Sequence, residues 1–306
     1  MSLQIVLIGQ AAFAEKVLEG LVARGDRVAA AYCPPDGARP DPVKTRAAAA
    51  GVPCHQPPSY KPEAVRAEIA GYAPDLIVLA YVTRIIPPAI IDLPRLGTIC
   101  FHPSLLPRYR GGSAINWQLI RGETRGGVTV FWTDPGIDTG PILLQRAVAI
   151  GPDDSAGSFY YQRIFPAGVA VVLESVRLIA AGDAPRTPQD EARATYDPLC
   201  TDAHAAVDWT RPARTVHDLI RGCDPQPGAH TAAPGGRLRL YESRVAPEGG
   251  GAPGTVLALG DDGALTVAAG EGAVRLGKAR VDGTRDKRPA AEAAAALGLA
   301  VGGRLG

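Results

Sequence analysis

The sequence predicts an α/β chain in which a doubly wound, mostly parallel sheet is followed by a small β-barrel domain of the OB kind. Three observations carry this expectation. Apolar runs of strand length alternate with stretches of helical spacing from Leu3 to Ala80. Residues 76–80 are continuously apolar, the character of a strand buried on both faces of a parallel sheet. Beyond Pro198 the pattern changes to short apolar segments set apart by Gly and Asp turns.

Residues 3–8 form an apolar run that ends at Gly9, and Phe13, Val17, Leu18 and Leu21 then recur at helical spacing. A second strand follows at 27–32, then a Pro/Gly loop at 34–42, an Ala-rich helix to Ala50, a helix at 63–69 and the strand at 76–80. This βαβα alternation argues for a Rossmann-like sheet. The first turn, Gly9-Gln10-Ala11-Ala12-Phe13-Ala14, holds one glycine where a dinucleotide fingerprint needs three, which disfavours a nicotinamide cofactor. Next come a strand at 98–101, a Pro/Arg/Gly-rich loop at 102–112, a helix at 113–121, strands at 128–132 and 142–148 around a turn at 133–140, and a helix at 158–181. The stretch 182–198 is rich in Pro and charge without periodicity and reads as a linker. After it, 207–209, 238–241, 254–259, 263–268 and 273–276 read as strands, with helices at 213–221 and 290–297. The expected division is therefore a catalytic domain at 1–183, a linker at 184–202 and a small β domain at 203–306.

Composition narrows the function. Lys and Arg number 32 against 31 Asp and Glu, far from the basic balance of a protein that grips nucleic acid. Five cysteines without a CxxC pair give neither a zinc cluster nor a disulfide framework, so a reducing compartment is expected. The N-terminus lacks the basic flank of a signal peptide, and no uninterrupted apolar run reaches the roughly 18 residues of a spanning helix. A soluble, cytoplasmic protein without membrane partners is the expectation.

The most informative stretch is Phe101-His102-Pro103-Ser104-Leu105-Leu106-Pro107-Arg108-Tyr109-Arg110-Gly111-Gly112, followed by Asp134-Pro135-Gly136-Ile137-Asp138-Thr139-Gly140. His102 stands at the carboxyl end of an expected strand, where ligands of open α/β sheets bind. Asp138 sits in a Gly-rich turn and can reach the same crevice. A histidine beside a carboxylate is fixed in one tautomer and suited to proton transfer. On spacing alone a structural histidine and a turn-forming aspartate explain these residues equally well.

Here the sequence resembles the folate-dependent formyltransferase family. The likeness is carried by His102 with Ser104-Leu105-Leu106-Pro107, by Arg110-Gly111, Ile115-Asn116-Trp117 and the Asp134 to Gly140 turn, and by Leu143-Leu144-Gln145 and Ile164-Phe165-Pro166. It continues through Val207-Asp208-Trp209, Ile220-Arg221-Gly222 and Pro227-Gly228-Ala229. It is strongest toward the branch formed by the hydrolase domain of 10-formyltetrahydrofolate dehydrogenase, with methionyl-tRNA formyltransferase also similar. The resemblance implies 10-formyltetrahydrofolate as formyl donor, tetrahydrofolate as product and no metal. It makes His102 and Asp138 the catalytic pair, and places Arg84, Ile85, Ile86, Ser104, Leu105, Leu106, Pro107, Asp134, Gly136 and Ile137 around the folate. Water, a small molecule or a carrier thiol then attacks the formyl carbon, His102 stabilises the oxyanion and shuttles the proton, and Asp138 orients it.

Three departures refine this. The amine-directed members carry an asparagine two positions before the histidine, and this chain has Cys100, a weak donor. Cys100 is either a buried filler or, more sharply, a nucleophile that receives the formyl group as a thioester. The tRNA-directed members carry a basic insertion after the second strand, whereas residues 33–44 are short and balance Asp36 and Asp41 against Arg39 and Lys44. A tRNA acceptor is thereby disfavoured, and Arg108, Tyr109 and Arg110 are left as candidate contacts for an anionic substrate. The carrier and aldehyde dehydrogenase domains of the complete dehydrogenase have no counterpart in these 306 residues, so oxidation of the formyl group is not expected of this chain alone. An inactive folate-binding regulator is the non-enzymatic alternative.

Overall fold

A computed structural model describes residues 3–246 and 249–306. In chain order its elements are β1 (Gln4–Gly9), α1 (Ala11–Ala23), β2 (Arg27–Tyr32), α2 (Pro42–Ala49), β3 (Cys54–His55), α3 (Glu63–Gly71), β4 (Leu76–Ala80), α4 (Pro88–Ile91), β5 (Thr98–His102), α5 (Ala114–Ile120), β6 (Arg125–Trp132), β7 (Ile142–Ala149), α6 (Ala156–Phe159) and α7 (Phe165–Ala181). Then follow α8 (Ala213–Gly222), β8 (Ala229–Ala233), β9 (Gly236–Ala246), β10 (Val256–Leu259), β11 (Leu265–Ala268), β12 (Ala273–Val281), β13 (Arg288–Pro289) and α9 (Ala290–Ala295). The chain divides into two compact units. The first takes the residues up to Gly112 with Gly127–Val148 and Arg163–Tyr196, and the second takes Ser113–Gly126, Ala149–Gln162 and Asp197–Gly306.

The first unit is built on a sheet of order β3-β2-β1-β4-β5-β6-β7. β1 pairs in parallel with both β2 and β4, so the strand order reverses across it. β4 and β5 are also parallel, and β6 runs antiparallel to β5. This is the Rossmann-like, mixed but mostly parallel sheet that the apolar runs predict, and its crevice at the β1/β4 switch point is where such folds bind ligands. β4 is buried along its whole length, as its unbroken apolar sequence requires. Gly9 is where β1 comes closest to β4: a Cβ there would lie 2.3 Å from the Ala80 carbonyl oxygen. The N-terminus of α1, the phosphate seat of a dinucleotide fold, is filled from within. The Asp41 carboxylate accepts the Ala11 N–H at 3.0 and 3.2 Å and the Val43 N–H at 2.9 Å, so one side chain caps two helices.

The expected helix at 158–181 begins earlier. It runs continuously over Ala156–Ala181, with a π-helical turn at Tyr160–Ile164 immediately before Pro166. Proline cannot donate to the preceding turn and its ring crowds it, so the helix widens there. By length and composition this helix could cross a membrane, contrary to the expectation that no run approaches that length. The difference arises because isolated Arg and Glu residues break the apolar run but lower its mean hydropathy too little to take the helix out of that range. Its apolar face is used internally: Gly168, Val171, Val172, Ser175, Val176 and Ile179 are buried in α7, which packs on α1.

The second unit carries an antiparallel sheet of order β10-β11-β12-β9-β8, with β13 beside β12. β9 and β12 are longer than their apolar segments suggest, since Arg237 and Arg239 on β9 are neutralised by Asp202 and Asp282. Residues 207–209 are not a strand; Ala206 makes a single bridge to His230.

His217 on α8 is fully buried and satisfied as a neutral imidazole. Its Nε2–H donates to the Pro152 carbonyl at 3.0 Å and its Nδ1 accepts the Ser243 hydroxyl at 2.7 Å. Burial lowers its pKa below 6.5, and Arg214 and Arg221 push the same way. Above pH 6.5 both folded and unfolded chains hold this ring neutral. Below it the unfolded chain gains a proton that the folded chain refuses, so stability falls toward acid with a slope approaching about 1.4 kcal/mol per pH unit for this ring. Denaturant titrations between neutral pH and pH 5 are expected to show this decline, and His217→Gln to flatten it; equal slopes for the two proteins would overturn it.

Candidate active site

The candidate site lies within the first unit, where the carboxyl ends of β1, β2 and β4 open a narrow crevice lined by Ile8, Gly9, Gln10, Pro34, Pro57, Tyr60, Val82, Thr83 and Arg84. Each lining residue is the end of a parallel strand or follows one, which is why the fold gathers them. β5 is the next strand along, and its last residue is His102.

His102 is buried, and both ring nitrogens are accounted for. Nε2 lies 2.7 Å from the Tyr109 carbonyl, which can only accept, so Nε2 carries a proton. Nδ1 faces the Asp138 carboxylate at 3.5 Å. That carboxylate oxygen also accepts the Gly111 N–H, at 2.8 Å. One nitrogen is thus fixed by backbone, and the other shares its surroundings with a carboxylate that itself retains 18% exposure. A ring held in this way can take up or give out a proton only at Nδ1.

Backbone in the left-handed region supports the pair. Tyr109, Gly111 and Asp138 have φ of 61°, 100° and 56°. Such positions cost on the order of 1–3 kcal/mol for side-chain-bearing residues and persist only when neighbours over-determine them. Here the neighbours come from the stretch that reads as a linker. The Tyr109 N–H donates to Thr195 Oγ1 at 2.7 Å, and Gln189 Nε2 donates to the carbonyls of Asp138 and Gly140, both at 2.8 Å. Arg110 is buried and reaches the same strut, with Gln189 Oε1 at 2.8 Å and Glu191 at 2.6 and 2.9 Å. Its guanidinium is therefore turned inward, away from the anionic-substrate role suggested for it. Gln189, Glu191 and Thr195 give no sequence signal, since their partners lie about 50 to 86 residues away.

The other expected site residues divide into two groups. Ser104, Leu106 and Pro107 are buried beneath the loop: Ser104 Oγ donates to the Arg108 carbonyl at 2.6 Å, and the Leu106 carbonyl accepts from Gln145 at 2.8 Å. Leu105 packs against Gly127. Asp134 accepts the Gly136 N–H at 3.0 Å and the Thr139 hydroxyl at 2.6 Å, tying the turn that carries Asp138. Gly140 closes that turn, since a Cβ there would sit 1.7 Å from the Trp132 carbonyl oxygen. By contrast Ile85 is 89% and Ile137 56% exposed, two apolar side chains left open to solvent. Arg84, on the crevice wall, donates to the Pro58 carbonyl, and Ile86 is buried in the core.

Cys100 is two residues before His102 on the same strand, so both side chains project from one face of the sheet. It packs against the cluster of Ile8, Ile77, Leu79 and Ile86. Enclosure, and then the charge of Asp138, push its thiol well above the usual range, so it stays protonated at neutral pH. Among the described residues no group of three or more His, Cys, Asp or Glu side chains could hold a metal ion.

The first unit thus joins a Rossmann-like sheet without a dinucleotide fingerprint to a buried histidine that faces a carboxylate at the end of β5. The chain belongs to the formyl transferase family: the formyl transferase domain matches residues 3–176 and the formyl transferase C-terminal domain residues 200–293. It is 42% identical over 249 residues to mitochondrial 10-formyltetrahydrofolate dehydrogenase of Mus musculus, a match covering 79% of this chain and 27% of that protein. The chain thus spans about a quarter of the length of such dehydrogenases. It is 39% identical over 312 residues to methionyl-tRNA formyltransferase of Geobacter sulfurreducens, covering 99% of this chain and 97% of that protein. Among solved structures it shares its fold with HypX from Aquifex aeolicus in complex with tetrahydrofolic acid, with a TM-score of 0.71 at 24% identity over 95% of this chain and 47% of that one.

Proposed function

We propose that this protein removes the formyl group from 10-formyltetrahydrofolate and passes it to water, a thiol or a small amine, releasing tetrahydrofolate, with His102 and Asp138 as the catalytic pair. One observation carries the reading: His102 has a single nitrogen free for chemistry, and that nitrogen faces Asp138 at 3.5 Å. The donor supplies an electrophilic formyl carbon on an amine that must leave protonated. The chain supplies the rest. Nδ1 of His102 holds the proton that moves, and Asp138 favours the charged ring while it does so. The Tyr109 carbonyl keeps the ring from turning. Ile85 and Ile137 are exposed apolar flanks suited to a planar heterocycle, and the crevice residues from Val82 to Arg84 give it a wall. These features support a folate bound at this wall. Cys100, packed against the apolar cluster with its thiol held protonated, is a filler and not a formyl carrier.

The similarity to methionyl-tRNA formyltransferase over nearly its full length supports a second reading, in which a charged initiator tRNA is the acceptor. Charge weighs against it. Residues 200–306 hold 13 Lys and Arg against 12 Asp and Glu, and Lys44 of the short loop is paired with Asp36.

Incubation with 10-formyltetrahydrofolate alone, with a thiol, with small amines and with charged initiator tRNA separates the readings by the tetrahydrofolate formed. Release with water, thiol or small amines is expected, without acceleration by tRNA. Release only with tRNA would install the second reading, and none in any arm would sink both.

A further inference from the structure

We propose that Cys33 and Cys54 are an oxidisable dithiol that peroxides convert to a disulfide, with Cys54 as the attacking sulfur and Cys33 as the resolving one. The pair follows from strand register. Ala31 is opposite Cys54 and Tyr32 opposite His55, and Cys33 extends β2 by donating its N–H to the His55 carbonyl at 3.0 Å. Side chains two apart on a strand share a face, so Cys33 projects on the same face as Cys54, diagonal to it across the strand pair, and the two sulfurs stand 3.8 Å apart. That is sulfur–sulfur contact, and closing the bond of about 2.05 Å across this diagonal takes side-chain rotation together with a shift of the end of β2 toward β3. The two thiols are unequal. Cys33 is fully buried, whereas Cys54 keeps partial exposure. Hydrogen bonding between the two sulfurs favours the Cys54 thiolate, and the nearby Lys44 acts in the same direction, against burial and the charges of Asp41 and Asp36. The same hydrogen bond, with burial, holds Cys33 protonated. An accessible, more acidic thiol backed by a protonated neighbour is the arrangement of a peroxide-reactive pair.

The chemistry balances as follows. The Cys54 thiolate attacks one oxygen of hydrogen peroxide, the O–O bond breaks, hydroxide leaves, and Cys54 becomes a sulfenic acid. Cys33 gives its proton to that hydroxide, forming water. Its sulfur then displaces hydroxide from Cys54, the S–S bond forms, and the displaced hydroxide takes up the proton originally lost by Cys54. Two thiols are oxidised by two electrons in all, and one peroxide is reduced to two waters. Cys33 immediately precedes Pro34, so the bridge ties β2 to β3 beside the crevice wall.

The test is peptide mapping of the full chain after brief treatment with stoichiometric hydrogen peroxide, unfolding under an alkylating agent, and digestion. A Cys33–Cys54 linked peptide is expected, with both thiols restored by a dithiol reductant. In Cys33→Ser, Cys54 is expected to be trapped as sulfenic acid and to accept an added small thiol as a mixed disulfide. In Cys54→Ser, Cys33 is expected to remain alkylatable only after unfolding. If Cys33 and Cys54 stay reduced while Cys100, Cys200 or Cys223 reacts, or if Cys54 passes to sulfinic acid with Cys33 still a thiol, the proposal is overturned.

Discussion

His102→Ala is expected to lower tetrahydrofolate formation by about two to four orders of magnitude, the usual contribution of a positioned general acid or base. Binding of an unreactive folate analogue is expected to change less than about threefold, because the apolar flanks at Ile85 and Ile137 and the crevice wall at Val82 to Arg84 are untouched. The substitution has a structural cost, since it removes the hydrogen bond from His102 to the Tyr109 carbonyl at 2.7 Å. A lost hydrogen bond of this kind costs about 0.5–1.5 kcal/mol, enough to loosen the loop. His102→Gln separates the two effects. Its side-chain amide can donate to the Tyr109 carbonyl from the place of Nε2, yet it offers no nitrogen that gains and loses a proton at the place of Nδ1. Loss of turnover in both variants, with normal thermal unfolding and analogue binding in His102→Gln, supports proton transfer at Nδ1. Retention of more than about a tenth of the activity in His102→Gln would reduce His102 to a brace for the loop.

The sequence shows the sheet far better than it shows what steadies the site. β1, β2, β4 and β5 are legible because each is an apolar run too long for a turn and too short for a helix. β3 is two residues long and α4 four, below the length at which periodicity has meaning. β9 hides its length behind Arg237, Arg239, Glu242 and Arg244, whose charges suggest surface until partners such as Asp282 are seen across the sheet. His102 and Asp138 are legible from the motif and from the position of strand ends, although spacing alone does not bring them together. The strut of Gln189, Glu191 and Thr195 has no local signature. A polar, proline-rich segment looks the same whether it wanders in solvent or hydrogen-bonds to a distant loop, and only the pairing of Gln189 with Asp138 decides which. Asp41 is similar: from sequence it is one acid in a balanced loop, and in the fold it fills the helix terminus that a dinucleotide would need.

Asp138→Asn is expected to reduce kcat by about 10²–10³ with little change in KM. Asparagine tolerates the left-handed backbone that Asp138 adopts at φ 56°, and its carbonyl oxygen can still accept the Gly111 N–H. The Gln189 bond is to the backbone carbonyl and survives any side chain. What disappears is the negative charge 3.5 Å from Nδ1. Two unit charges near 4 Å interact by about 4 kcal/mol at the effective dielectric of a partly exposed site, and about 1.4 kcal/mol is tenfold in rate, so even a part of that interaction accounts for the expected loss. A mere fault in loop placement would instead raise KM and lower the unfolding temperature, which a side-by-side measurement distinguishes. The stronger test is the double variant His102→Gln with Asp138→Asn. If Asp138 acts only through the ring of His102, removing it from an enzyme that already lacks that ring costs nothing further, and the double variant matches His102→Gln alone. Multiplicative losses would show that Asp138 has its own contact with the reacting groups, such as a hydrogen bond to an attacking water. In that event it remains catalytic but leaves the pair.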